Sequence, residues 1–257
     1  LSDKLHQELT RSFIDKKISI LSKGLKQDLV LKTEVSEENK VLIDGQDIGE
    51  LKGLKFVVEF TANTLDTDIK SIKKAARRGI HKELIERVNK IIKDKKITLK
   101  EDHKIYWNEN PIARIKKGEN YLTPEVEIIA DDALPENSKE DLTSFLKNWV
   151  ANFINEELGD LLNLTKVKIT NQYLRALVFQ IYENNGVMKR SKIENIIGLV
   201  TKEERKKLWG MGIKLGRYHI YLPKMLKPKA VEFRIGLWKI FHNLSDINKI
   251  PKSGLNF

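Results

Sequence analysis

Lys40-Val41-Leu42-Ile43-Asp44-Gly45 can be laid over Lys104-Ile105-Tyr106-Trp107-Asn108-Glu109, 64 residues further on. The same offset sets Ile48-Gly49-Glu50-Leu51-Lys52 over Ile112-Ala113-Arg114-Ile115-Lys116. In both copies an apolar run meets a polar turn and an alternating segment follows, which is the pattern of a β-hairpin. Asp44-Gly45 is a strong two-residue turn signal, because both central positions need positive φ. Asn108-Glu109-Asn110-Pro111 is weaker turn chemistry. Each hairpin is followed by a further strand-like segment, 54–60 and 125–129. Each then runs into a long amphipathic helix. The first helix sets Ile69, Ile72, Ala76, Ile80, Leu84, Val88 and Ile91 on one face. The second is expected to start near Ser138 as N-cap, with Asp141 at N3, and to turn Leu142, Phe145, Leu146, Trp149, Phe153 and Leu161 inward.

This spacing predicts an α+β fold of two β-β-β-α repeat units, 35–97 and 98–165. A helical connector, 1–34, precedes them, with apolar positions at helical spacing over 1–27 and an extended stretch at 28–34. Residues 166–257 form a basic, mainly helical module. Its first helix is expected at 171–184, stopped by Asn185-Gly186. A second is expected at 191–199. A third is opened by the capping box Thr201-Lys202-Glu203-Glu204 and ends at Gly210-Met211-Gly212. An extended stretch follows at 214–222, and a fourth helix begins at Pro228 and runs to about His242.

Charge separates the two halves. Residues 1–165 hold 28 Lys/Arg against 30 Asp/Glu, and residues 166–257 hold 19 against 6, so the excess of +11 lies entirely in the last part. Such asymmetry points to an anionic partner, RNA or DNA first among them. Over 205–231 there are eight cations and no acid. The phosphate partners expected there are Lys206, Lys207, Lys214, Arg217, Lys224, Lys227 and Lys229. Trp209, Tyr218, His219 and Tyr221 are interleaved as stacking surfaces for bases. A strand through this stretch would set Arg217, His219 and Tyr221 on one face, with Tyr218 and Ile220 on the other. Trp107, Trp149 and Trp238 read as core.

Catalytic and metal chemistry find little support. No P-loop pattern occurs, so no ATPase site is encoded. The five histidines stand alone, no HExxH pattern is present, and Asp131-Asp132 reads as a solvated turn, so no metal site is expected. There is no cysteine, which fits a reducing compartment, the cytoplasm being expected. No apolar run reaches the length of a membrane span, and no membrane partner is expected.

Several motifs resemble a known group. Arg11-Ser12-Phe13-Ile14-Asp15-Lys16-Lys17 is similar to the segment just past the motor in large alphaproteobacterial-type DExH-box helicases, relatives of the mitochondrial degradosome RNA helicase. Trp107 with Pro111-Ile112-Ala113-Arg114 resembles a second motif of that group. Gly212-Ile213-Lys214-Leu215-Gly216-Arg217-Tyr218-His219, leading into Tyr221-Leu222-Pro223, resembles its most characteristic segment. Lys227-Pro228, Leu237-Trp238 and Ile250-Pro251-Lys252-Ser253-Gly254-Leu255 also fit. Two departures stand out: Ile43 takes the place of the motif tryptophan in the first repeat, and Asn108-Glu109-Asn110 lacks the group's Arg-Gly. The resemblance implies an accessory C-terminal region of an ATP-dependent RNA or DNA helicase. The motor domains would lie elsewhere in the same polypeptide and would use ATP and magnesium. None of the ATPase residues lies in this chain, which itself is expected to hold no cofactor. A protein-interaction scaffold, or a free-standing nucleic-acid-binding protein without a motor, are the alternative readings.

Overall fold

A computed structural model describes residues 4–5, 32–58 and 66–244. Apart from Lys4 and Leu5, the expected helix over 1–27 lies outside the described residues, as do the motifs at 11–17 and 250–255 and the side chains of Ile69 and Ile72.

The fold is α+β, and the repeat governs its first part. Strands β1 (Thr33–Val35), β2 (Lys40–Ile43), β3 (Gln46–Lys52) and β4 (Lys55–Val58) form an antiparallel sheet in that order, followed by helix α1 (Asp66–Asp94). Strands β5 (Ile97–Leu99), β6 (Lys104–Trp107), β7 (Asn110–Asn120) and β8 (Thr123–Ile128) form a second sheet in sequence order, followed by helix α2 (Glu136–Lys166). Each sheet thus gains a three-residue leading strand beyond the three expected. The 64-residue offset extends to fine detail. A register shift falls between Val41 and Leu42 and again between Ile105 and Tyr106. The hairpin turns carry positive φ at Asp44 (48°) and Gly45 (76°), and at Asn108 (44°) and Glu109 (63°). Asn108-Glu109 therefore makes the same turn as Asp44-Gly45 despite its poorer chemistry.

Alternation, interrupted by one bulged residue in each hairpin (Ile48 and Ile112), sets the buried face of each sheet. Val41, Ile43, Ile48 and Leu51 are buried in the first, and Ile105, Trp107, Ile112 and Ile115 in the second. Ala76, Ile80, Leu84, Val88 and Ile91 form the buried stripe of α1. The buried stripe of α2 is Leu142, Leu146, Val150, Ile154, Leu158 and Leu161. This shifts the expected face. Phe145, Trp149 and Phe153 are only half-buried at its flank, where Trp149 stacks on Phe153 at 5.6 Å between ring centroids. The helix also starts two residues before Ser138, with Lys139 N–H donating to the Pro135 carbonyl, so Ser138 is not its cap.

The described residues divide into two compact units. The first takes in residues up to Arg114 together with Glu127–Phe145. The second takes in Ile115–Val126 and everything from Leu146 onward. In the first unit the two repeats are joined directly. Leu54 bridges Ala130 in parallel, and Asp131 N–H donates to the Leu54 carbonyl at 2.8 Å. Arg87 of α1 is buried beneath the first hairpin. Its guanidinium donates to the Leu51 carbonyl at 2.9 Å, to the Gly53 carbonyl at 2.8 Å, to Asn39 Oδ1 and to Glu83.

The repeats differ where β3 meets β4. Gly49 has φ +152°, and a Cβ there would sit 2.3 Å from the Val57 carbonyl oxygen. Its counterpart in the second repeat is the buried Ala113. Gly49→Ala is expected to destabilise the first unit by about 2 kcal/mol, since backbone rather than a flexible side chain must give way. Urea unfolding checks this, and an unchanged midpoint would show that β4 shifts freely.

In the second unit, α3 (Gln172–Glu183) is capped by Asn171, whose side chain accepts from the Tyr173 and Leu174 amides. Strand β9 (Val187–Lys189), a 3₁₀ turn (Arg190–Ile193) and the short helix α4 (Glu194–Ile197) follow. The helix expected at 191–199 is therefore this 3₁₀ turn and α4. Next come α5 (Lys202–Gly210), β10 (Lys214–Leu215), β11 (His219–Tyr221), a second 3₁₀ turn (Pro223–Leu226) and α6 (Pro228–His242), which ends at a left-handed Asn243. The small sheet has the order β10-β11-β9, all antiparallel. Helix α6 packs on the middle of α2, with Phe233 edge-on to Phe153 at 4.9 Å.

Four buried polar atoms among the described residues of this unit lack a hydrogen-bond partner, on Tyr121, Asn185, Arg205 and Arg234. The Tyr121 hydroxyl, at the turn between β7 and β8, is buried without a hydrogen-bond partner. Burial pushes its pKa well above the usual phenol range, and the neighbouring Tyr182 adds to the shift. The folded state therefore favours the neutral phenol. Its contribution to stability is complete below the unfolded value of about 10 and is lost as pH rises from there toward the folded value. Tyr121→Phe is expected to flatten the alkaline loss of stability and to leave neutral-pH stability equal or higher, because an unpaired hydroxyl is removed. Denaturant midpoints from neutral to about pH 11 test this; parallel profiles for the two proteins would contradict it.

Candidate nucleic-acid interface

The order helix, strand, helix, helix, strand, strand over 172–221 builds a helix-turn-helix closed by a β-hairpin. Helices α4 and α5 are joined by residues 198–201, a four-residue connection that begins with Gly198. Thr201 fixes the start of α5. Its hydroxyl accepts from Glu204 N–H at 3.3 Å, while the Glu204 carboxylate accepts from Thr201 N–H at 2.9 Å. Leu208 anchors the helix in the core, and Arg205 is held by a bond to the Ile197 carbonyl. The opposite face is left to solvent: Lys202, Lys206, Lys207 and Trp209 are exposed, Trp209 at 57%. An apolar side chain of this size so open to water marks a contact surface more than a core position.

Gly212, at φ +81°, turns the chain from α5 into the hairpin. Its strands pair through Lys214 with Tyr221 and Leu215 with Ile220, and Gly216 N–H donates to the His219 carbonyl at 2.8 Å. Arg217 and Tyr218 occupy the tip. Both are exposed, Tyr218 at 68%, and the Arg217 guanidinium lies 5.3 Å from the Tyr218 ring centroid. This corrects the expected strand faces. Arg217 and Tyr218 stand in the turn rather than in a strand, because β11 begins only at His219. Ile220 alone faces the core, while His219 and Tyr221 are half-buried.

The eleven expected contact residues therefore separate into groups. Lys206, Lys207 and Trp209 share α5, and Lys214, Arg217, Tyr218, His219 and Tyr221 share the hairpin. Lys227 is exposed at the start of α6. Lys224 and Lys229 are engaged elsewhere. Lys224 Nζ donates to the Glu156 carbonyl, and Lys229 Nζ pairs with Glu157 and lies over the Phe153 ring at 5.1 Å. Their charge is directed at α2, a use invisible in the acid-free run 205–231 because the partners lie about 70 residues earlier.

Three cations were outside that run. Lys189 and Arg190 border the hairpin tip, and Lys192 is exposed on the adjoining 3₁₀ turn. The basic string Lys189-Arg190-Ser191-Lys192 was the available signal. Among the described residues no group of three or more His, Asp or Glu is placed to hold a metal ion. No helix of the described residues is long and apolar enough to cross a membrane. No known protein family, curated protein or solved structure matches this chain.

Proposed function

We propose that residues 172–242 grip the backbone of RNA or DNA through α5 and the hairpin wing. In this reading the chain serves as an accessory region of an ATP-dependent helicase in the cytoplasm. The observation that carries the binding is a capped helix and a wing that both leave cations and large aromatics in water. In helix-turn-helix proteins the second helix is the one that enters a groove, and α5 has that position. Lys206, Lys207, Lys214 and Arg217 neutralise phosphates, and Trp209 and Tyr218 offer flat surfaces to bases or sugars. The helicase assignment rests on the sequence resemblance at 107–114 and 208–237. It places ATP and magnesium in motor domains, not in these residues.

Hydrogen–deuterium exchange of the full chain, with and without a short RNA or DNA duplex, tests the assignment. Amides across 202–221 are expected to slow on binding, while those of β1–β6 keep their rates. Protection confined to the first unit, or none at all, would refute it.

A further inference from the structure

Beside the wing lies a cleft of ≈ 360 Å³. Lys189, Arg190, Arg217 and His219 line it together with Tyr218, and Glu194 is the sole acid among its lining residues. Arg190 is fixed in place: its backbone N–H donates to the Tyr218 carbonyl at 2.8 Å, and Nη1 donates to the Gly216 carbonyl at 3.1 Å. That bond uses one of five guanidinium donors and aligns the rest. Arg217 covers one side of the Tyr218 ring, which reduces the ring's freedom while most of its surface stays in water. A cleft of this volume is at the small end of ligand sites and suits a single nucleotide rather than a length of strand.

We propose that this cleft takes one unpaired nucleotide at the end of a duplex. Its phosphate lies against Lys189, Arg190 and Arg217, and its base lies flat on Tyr218. A base within a duplex has both faces stacked already and cannot offer one to Tyr218, so the chemistry selects an unpaired one. Glu194 sets a limit on the net attraction and offers an acceptor to a base amino group. The proposal rests on the nucleic-acid reading above, in which α5 holds the adjoining duplex.

The experiment compares a blunt duplex with the same duplex carrying an unpaired nucleotide, in RNA and in DNA, by fluorescence anisotropy with the full chain. 2-Aminopurine at the unpaired position reports stacking. The overhang is expected to tighten binding about tenfold, with a fall in 2-aminopurine emission. In Tyr218→Ala the ratio of overhang to blunt affinity falls to near one, whereas Tyr218→Phe keeps it. Equal affinity for blunt and overhang duplexes, or a gain that survives Tyr218→Ala, overturns the proposal while leaving the duplex reading intact. Failure to bind either form overturns both. A gain in one of RNA or DNA alone supports the cleft and names its source.

Discussion

Reversing three charges in one variant, Lys206→Glu, Lys207→Glu and Arg217→Glu, is expected to lower duplex affinity on the order of 100-fold at low salt. A pair of opposite charges at roughly 4 Å in water is worth about 1 kcal/mol, and reversal replaces that attraction with repulsion. The three side chains lie on the exposed face of α5 and at the wing tip, and none makes an ion pair among the described residues. The fold should therefore tolerate the change, since exposed substitutions of this kind usually alter stability by less than about 0.5 kcal/mol. The expected outcome is lost binding with an unchanged circular-dichroism spectrum and melting temperature. Undiminished binding would remove α5 and the wing from the interface.

The second large effect is on stability. Arg87→Ala is expected to destabilise the first unit by about 3 kcal/mol, because it strands buried acceptors around an emptied site. The Leu51 carbonyl lies at the end of β3, that of Gly53 in the turn between β3 and β4, and Asn39 precedes β2. One guanidinium thus ties α1 to three points of the sheet. Arg87→Lys should recover only part of the loss, since a single ammonium cannot span the same acceptors. Urea unfolding followed by hydrogen exchange of the β2 and β3 amides measures this. A midpoint equal to that of the unsubstituted protein would mean that water satisfies the carbonyls and that α1 is held by its apolar stripe alone.

Local structure is legible in the sequence where a few neighbouring residues determine the outcome. Asn185-Gly186, both at positive φ, follow the end of α3, Thr201 and Glu204 form the capping box, and Pro228 opens α6. The duplication was legible because its turns and alternating strands recur at one spacing. Non-local features were not. The leading strands β1 and β5 have three residues each, too few for a period, and exist only by pairing with β2 and β6. The winged arrangement is likewise defined by β9 pairing with β11 across about 30 residues, which no local pattern announces. For the same reason the basic run looked uniform. Contacts with α2 withdraw Lys224 and Lys229 from it, while β9 and the 3₁₀ turn bring Lys189 and Arg190 to the wing. The inward face of α2 departs from the expected one: aromatic residues carry the largest apolar surface, yet Leu, Val and Ile fill the buried stripe and the aromatics flank it.

The central claim is that α5 and the wing bind nucleic-acid phosphates. The most direct measurement is the salt dependence of duplex affinity for the full chain and for the triple charge reversal. With about four phosphates engaged, one for each of Lys206, Lys207, Lys214 and Arg217, log affinity should fall against log salt with a slope of roughly −3.6. The triple variant should bind more weakly, with a slope shallower by about three. A slope near zero, or an equal slope for both proteins, would contradict the account.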